Sequence, residues 1–133
     1  MHSYRSAMKE YEQVGVRSQV EGAAPERLVQ LMLEGALDRI SLARGAMEHG
    51  MIAAKGERIG KAIGLIEGLR ASLDHDRGGE LAGNLDALYD YMSRRLTEAN
   101  LRNDPAMLDE VANLLREIKY AWDRIVAGAE AAS

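Results

Sequence analysis

The chain has 133 residues and a formal net charge of −4, with 47% hydrophobic and 29% charged residues. This length is about one domain, and the composition is that of a folded protein with no general attraction for nucleic acid. The absence of cysteine excludes disulfides, thiolate metal sites and thiol catalysis. No apolar run approaches the roughly 18 residues that span a bilayer, and the N-terminus lacks the apolar core of a signal peptide. We therefore expect a cytoplasmic protein without membrane insertion.

Residues 1–24 are predicted to form an arm and linker outside the main domain. Tyr4, Met8 and Tyr11 can share one face of a short helix, and the helical spacing is lost after Val14. An arm with so few apolar groups is not held in place by its own contacts. The sequence therefore predicts a short, mobile N-terminal helix or arm. We also hypothesise that this arm folds back over an apolar groove and masks it until a partner arrives.

Apolar residues recur at helical spacing in four successive segments after Pro25. Steps of three and four residues place the members of each stripe on one face of a helix. The stripes run from Val29 to Met47, from Ile52 to Leu73, from Leu81 to Ala99, and from Leu108 to Ile125. Each segment is about 20 residues long, which corresponds to a helix of roughly 30 Å.

The residues between these segments favour short turns. Gly50 suits a helix end, the run from Asp76 to Gly79 suits a turn, and Asp104 followed by Pro105 suits a helix start. Short connections make neighbouring helices antiparallel, and the regular stepping favours nearly aligned packing. The predicted fold is all-α: an antiparallel four-helix bundle over residues 25–127, followed by a disordered tail over residues 128–133.

Motifs for catalysis and metal binding are missing from the sequence. A di-iron bundle needs Glu-x-x-His pairs, but Ala46 and Ser72 stand three residues before His49 and His75. The run from Gly56 to Lys61 lacks the spacing of a phosphate-binding loop. We therefore predict a protein that is not an enzyme and that uses no metal or cofactor.

Two features of the first two helices allow a partner-binding interpretation. Leu28, Leu31 and Leu42 lie beside the main stripe of the first helix, which indicates either a wider core face or a second apolar face for a partner. The second helix contains a row of glycines spaced by four residues, which includes Gly56, Gly60, Gly64 and Gly68. Each costs about 1 kcal/mol of helix preference. This ridge indicates either close packing inside the bundle or a shallow groove for a partner.

The third and fourth segments carry a specific pattern. It runs from Gly78-Gly79-Glu80 through Asn84-Leu85, Leu88-Tyr89-Asp90-Tyr91-Met92 and Arg94-Arg95-Leu96 to Ala121-Trp122. Together with the run from Pro25 to Leu37, this pattern resembles the FliS family of flagellar export chaperones. The resemblance covers nearly the whole chain, from about Tyr11 to Ile125.

The resemblance implies a cytoplasmic chaperone that binds the C-terminal, helix-forming segment of flagellin. Such a protein prevents premature polymerisation and delivers flagellin to the cytoplasmic domain of the export gate. Members of the family use an arm around a tyrosine like Tyr11 and a valine like Val14 in these contacts, and we extend this role to the neighbouring Tyr4 and Met8. The alternative is a homo-oligomeric helical-bundle adaptor that has no export client.

Overall fold

The computed structural model describes residues 25–132, and these form four α-helices. They are α1 (Pro25–Glu48), α2 (Ile52–Ala71), α3 (His75–Arg102) and α4 (Pro105–Ala132). α1 packs against α2 and α4, and α3 packs against the same two helices, so the four form a ring in chain order. The short connections make each helix antiparallel to the next. The predicted all-α bundle is confirmed, whereas the predicted N-terminal arm lies outside the described residues.

The core runs along the axis of the bundle and receives side chains from all four helices. From α1, the stripe residues Leu33, Ala36 and Ala43 are completely buried. Ile66 of α2, Leu96 of α3 and Leu108 of α4 contact the same cluster. Full burial of a leucine or isoleucine side chain contributes about 1.5–3 kcal/mol, so this cluster is the main source of stability. The helical spacing in the sequence predicted these core positions correctly.

Left-handed residues end α1 and α3. Gly50 has a φ of 68°, and the N–H of Met51 donates to the carbonyl of Ala46 over 2.9 Å, which closes α1. Asn103 has a φ of 53°, and the N–H of Asp104 donates to Ala99 over 3.1 Å.

α4 starts at once after this turn. The Asp104 side chain accepts a bond of 2.9 Å from the N–H of Ala106, and Pro105 occupies the first helical position. The predicted helix start at Asp104 is confirmed.

The α2–α3 connection agrees with the prediction only in part. The sequence predicted a turn from Asp76 to Gly79, but α3 already begins at His75, after Asp74 caps the helix by accepting the N–H of Arg77. Gly79 then interrupts the helical backbone, with φ 50° and ψ −122°. The glycine pair therefore forms a bend inside α3, because the capping side chain of Asp74 has already started the helix.

α4 also differs from the prediction at its end. The sequence predicted a disordered tail from residue 128, whereas the helix continues to Ala132. Gly128 does not stop the helix, because Ala129 and Ala131 beyond it are strong helix formers.

Polar contacts between the helices select their register along the bundle axis. Arg44 of α1 bonds to Asp109 of α4 over 2.7 Å, and Arg70 of α2 bonds to Asp86 of α3 over 2.8 Å. In each pair, the hydrogen bond from the arginine lowers the pKa of the carboxyl group. These side chains are partly exposed, so each pair contributes little to stability and mainly selects the register.

Candidate functional site

Large apolar side chains remain exposed at both ends of the bundle. At the end where α1 begins, Leu81 of α3 is 66% exposed and Ile125 of α4 is 52% exposed. At the opposite end, Met51, Ile52 and Leu101 are more than half exposed. Exposed apolar side chains that lie together commonly mark an interaction surface.

The seam between α3 and α4 opens progressively toward the first of these ends. Near the α3–α4 turn, the seam residues Met92, Leu96, Leu108 and Val111 are completely buried. Further along, Leu85 and Ile118 are half-buried, and beyond them lie the exposed Leu81 and Ile125. The two helices thus close over the core at one end and leave an apolar groove at the other.

This groove, called the end groove below, is defined by three adjoining hollows that share Leu85. The largest, of about 340 Å³, lies between α3 and α4, and its lining is almost wholly apolar. A second, of about 190 Å³, extends inward toward Val29, Leu69 and Tyr89, and a third, of about 240 Å³, lies against the bend of α3. The principal lining residues are Leu73, Leu81, Leu85, Ile118, Trp122 and Ile125.

Trp122 lies where the first two hollows meet, since it lines both. It is the only tryptophan of the chain and is half-buried. Tryptophan is enriched among the residues that dominate the binding energy of interfaces, because a large ring can be buried at low entropic cost. Tyr89, at the inner end of the groove, is 2% exposed, and burial raises the pKa of its hydroxyl to about 12.

Charged groups lie at the edge of the end groove. Asp74 and Arg77 contribute to the hollow at the bend, and Glu117 contributes to the hollow between α3 and α4. The Asp74 and Arg77 charges approach within 3.6 Å, and the Arg77 side chain is 91% exposed. An apolar floor with polar edges is the usual arrangement of a groove that accepts the apolar face of an amphipathic helix.

One polar network between α3 and α4 lies closer to the opposite end. Tyr91 donates to Glu110, and Arg95 bonds to the same carboxylate over 2.7 Å. These two hydrogen bonds, first from Tyr91 and then from Arg95, lower the pKa of Glu110. The network joins α3 to α4 where their seam is closed, so it fixes the two helices at the narrow end of the groove.

Of the leucines predicted to bind a partner, only Leu42 is well exposed, at 47%. Leu28 is half-buried and packs against the core cluster. Leu31 is 2% exposed and belongs to that cluster, so a partner could contact it only if the surrounding side chains moved. None of the three lines the end groove.

The predicted glycine ridge is largely open in the structure. Side chains added at Gly60 and Gly64 would meet no other group within 4 Å, and one at Gly56 would meet only the Asn100 amide at 3.9 Å. Gly68, in contrast, is buried. The part of the ridge from Gly56 to Gly64 therefore has open space beside it, and its contact with a partner stays a prediction.

The other predicted site residues, Tyr4, Met8, Tyr11 and Val14, lie outside the described residues. The described chain nevertheless begins at the same end as the groove, since Val29 in the first turns of α1 lines its inner hollow. The hypothesis that the arm masks an apolar groove stays a prediction.

Sequence reasoning missed the residues of the end groove because it assigned them to the core. The apolar stripes of α3 and α4 continue through Leu81, Leu85, Ile118, Trp122 and Ile125. The sequence pattern of a stripe is the same whether the two helices close over it or leave it open. One signal was available: Leu81 and Ile125 stand at the ends of their stripes, where fewer neighbouring side chains cover a residue.

Two properties of residues 25–132 bear on other classes of function. No group of three or more histidine, aspartate and glutamate side chains in this range is arranged to hold a metal ion. None of the four helices contains a stretch apolar and long enough to cross a membrane.

Comparison with known proteins decides the family. The model of the family described as flagellar protein FliS matches residues 7–129. The chain belongs to the FliS family. It is 59% identical over 119 residues to the flagellar secretion chaperone FliSB of Pseudomonas aeruginosa, a match that covers 90% of this chain and 94% of that protein.

Other FliS relatives agree with this assignment. The chain is 48% identical over 121 residues to the flagellar secretion chaperone FliS of Salmonella typhimurium, with 90% of each protein covered. It is 46% identical over 121 residues to that of Vibrio cholerae, with 91% of this chain and 89% of the relative covered. The resemblance to FliS seen in the sequence is confirmed, and the names of the relatives support a role as an export chaperone.

Proposed function

We propose that this FliS-family protein binds the C-terminal, helix-forming segment of flagellin in its end groove. The observation that carries the proposal is the open seam between α3 and α4, where Leu81 and Ile125 stay exposed around a hollow of about 340 Å³. A helix that inserts its apolar face there would complete the seam that the bundle leaves open.

The chemistry of the client explains why such a groove is useful. A segment that becomes helical only in the assembled filament exposes its apolar face beforehand, and this face promotes premature association. Covering it in a groove prevents that contact, and the segment folds as it binds. The free energy of binding alone holds such a complex together, so the proposed role needs no nucleotide or cofactor.

The proposed place of action is the cytoplasm, where the complex would be delivered to the cytoplasmic domain of the flagellar type III export gate. The arm around Tyr11 and Val14 is proposed to contribute to contacts with the client and the gate. The outer surface of α2, with Leu42 of α1 and the open glycines Gly60 and Gly64, is proposed as a second contact surface.

The first experiment compares full-length flagellin with flagellin that lacks its C-terminal segment. We expect the purified protein to form a complex of one copy each with the full-length client, seen by size-exclusion chromatography with light scattering. We expect no complex with the truncated client. Equal binding of the two flagellins would refute the proposed client segment.

A second experiment locates the binding surface with matched variants. The groove variant combines Leu81→Ala and Ile125→Ala, and the control combines Leu101→Ala and Ile52→Ala, the same residue types exposed at the other end. Burial of the exposed part of a leucine and an isoleucine contributes about 2–3 kcal/mol in total, so the groove variant should bind the flagellin segment about 30- to 150-fold more weakly. The control should bind normally, and an equal loss in both variants would refute the end groove as the site.

The alternative proposal, a homo-oligomeric adaptor, is favoured by the apolar tip of Met51, Ile52 and Leu101. It predicts that the protein alone grows in apparent mass with concentration. It also predicts that the Leu101→Ala and Ile52→Ala variant remains a monomer. A monomer at every concentration for the unmodified chain would leave only the chaperone role.

A further inference from the structure

The bend at Gly79 has a backbone conformation that only glycine adopts readily. Its φ of 50° and ψ of −122° lie in a region where the side chain of an L-residue would clash with its own backbone. The turn before the bend is held independently, because Asp74 accepts the N–H groups of both Arg77 and Gly78, the first through its side chain and the second through its carbonyl. The bend thus joins a capped helical turn to the main body of α3.

Gly78 is required for a different reason. A Cβ atom built at this position would lie 2.8 Å from the Cβ of Ala82, which is closer than two such carbons approach in folded proteins. Ala82 is 4% exposed and cannot turn away, since an alanine has no rotatable side chain. The two adjacent glycines therefore permit the same bent path, one through its dihedral angles and the other through its small size.

The bend shapes the end groove. The hollow of about 240 Å³ is lined by Leu73, Asp74 and Arg77 before the bend and by Leu81 and Leu85 after it, so it lies across the bend. Leu81 and Leu85 also line the hollow that α3 forms with α4. The position of the first turn of α3 relative to its main body thus sets one wall of the groove.

We propose that Gly78 and Gly79 are positioning residues that hold the wall of the end groove in the shape that the client helix requires. This inference rests on the proposed function of the groove. A straight α3 would move Arg77 relative to Leu81, while the core further along the helix, at Met92 and Leu96, would be unchanged.

The principal test is Gly79→Ala, with Gly83→Ala as the matched control. Alanine favours a continuous helix, so the first variant should straighten α3. Gly83 lies in the same helix, and a side chain added there would meet nothing within 4 Å. We expect Gly79→Ala to bind the flagellin segment about tenfold more weakly, the change that loss of one leucine-sized contact would give. Its helical circular dichroism should be retained, and Gly83→Ala should bind normally.

A second set of variants tests Gly78 by rescue. Gly78→Ala alone should also weaken binding, because its Cβ forces α3 away from Ala82. Addition of Ala82→Gly removes the opposing carbon and should restore the affinity of the Ala82→Gly single variant. Rescue would assign the loss to the contact between positions 78 and 82, so the pair remains informative if Gly79→Ala fails to fold.

The fluorescence of Trp122 provides a readout that needs no client, since it is the only tryptophan and lines the groove. We expect Gly78→Ala to shift its emission to longer wavelength, and we expect addition of Ala82→Gly to reverse the shift. Unchanged emission and unchanged affinity in folded Gly78→Ala and Gly79→Ala proteins would overturn the inference. If the unmodified chain fails to bind flagellin while the emission shifts as expected, the proposed function fails but the role of the two glycines in shaping the groove stands.

Discussion

Substitution of Gly60 and Gly64 by alanine should stabilise the protein. Both positions lie inside α2, and a Cβ at either would meet no other group within 4 Å. The change therefore removes the backbone cost of glycine without a clash, which gains about 1 kcal/mol per position and about 2 kcal/mol for the double variant. For a chain of this size the melting temperature should rise by about 6–10 °C.

The assay is thermal unfolding followed by far-UV circular dichroism, with Gly50→Ala as a contrasting variant. Gly50 also has open space around it, but its φ is 68°. Alanine there should destabilise the protein by about 1–2 kcal/mol, since the left-handed conformation is unfavourable for L-residues. A fall in the melting temperature of the Gly60→Ala, Gly64→Ala protein would refute the reasoning, because it would show that these positions are not open.

The same double variant tests the predicted ridge. Two added methyl groups would hold a partner helix away from α2, so the affinity for flagellin should fall if the ridge is a contact surface. An unchanged affinity in the stabilised variant would contradict this prediction and leave the end groove as the binding surface.

Three further predictions concern the rest of the chain. Lys55 is 7% exposed and donates to the Asn100 carbonyl and the Asn103 side chain, so Lys55→Met should lower the free energy of unfolding in urea by about 0.5–1.5 kcal/mol, because both hydrogen bonds between α2 and the end of α3 are lost. The pKa values of Asp86, Asp109 and Glu110 are lowered in the folded protein. The contribution of these carboxylates to stability is therefore complete only at pH values above their ordinary pKa values of 3.8–4.5. This contribution should disappear as the pH falls below that range, and the loss should be smaller in Asp109→Asn when urea unfolding is measured from pH 6 to 2. Deletion of residues 1–19 should increase the binding of a hydrophobic dye while helicity persists, and an unchanged dye signal would refute the masking role of the arm.

The sequence by itself determined most of the fold. The stripe of α1 from Leu33 to Met47 is buried as its spacing predicted. A residue in the middle of an apolar helical face is buried whatever the exact positions of the neighbouring helices. The helix ends at Gly50 and Asp104 were also predictable, since they depend on the local chemistry of left-handed residues and side-chain caps.

Only the tertiary structure decided where the apolar surface lies. Leu81 and Ile125 belong to the same stripes as the buried Leu96 and Leu108, and their exposure follows from the separation of α3 and α4 at one end of the bundle. The path of α3 at Gly79 was also decided by the tertiary structure, since the sequence predicted a turn between helices and the structure has a bend within one. Spacing along a chain records which side of a helix is apolar, but the distance between two helices is set by all the side chains and bends that lie between them.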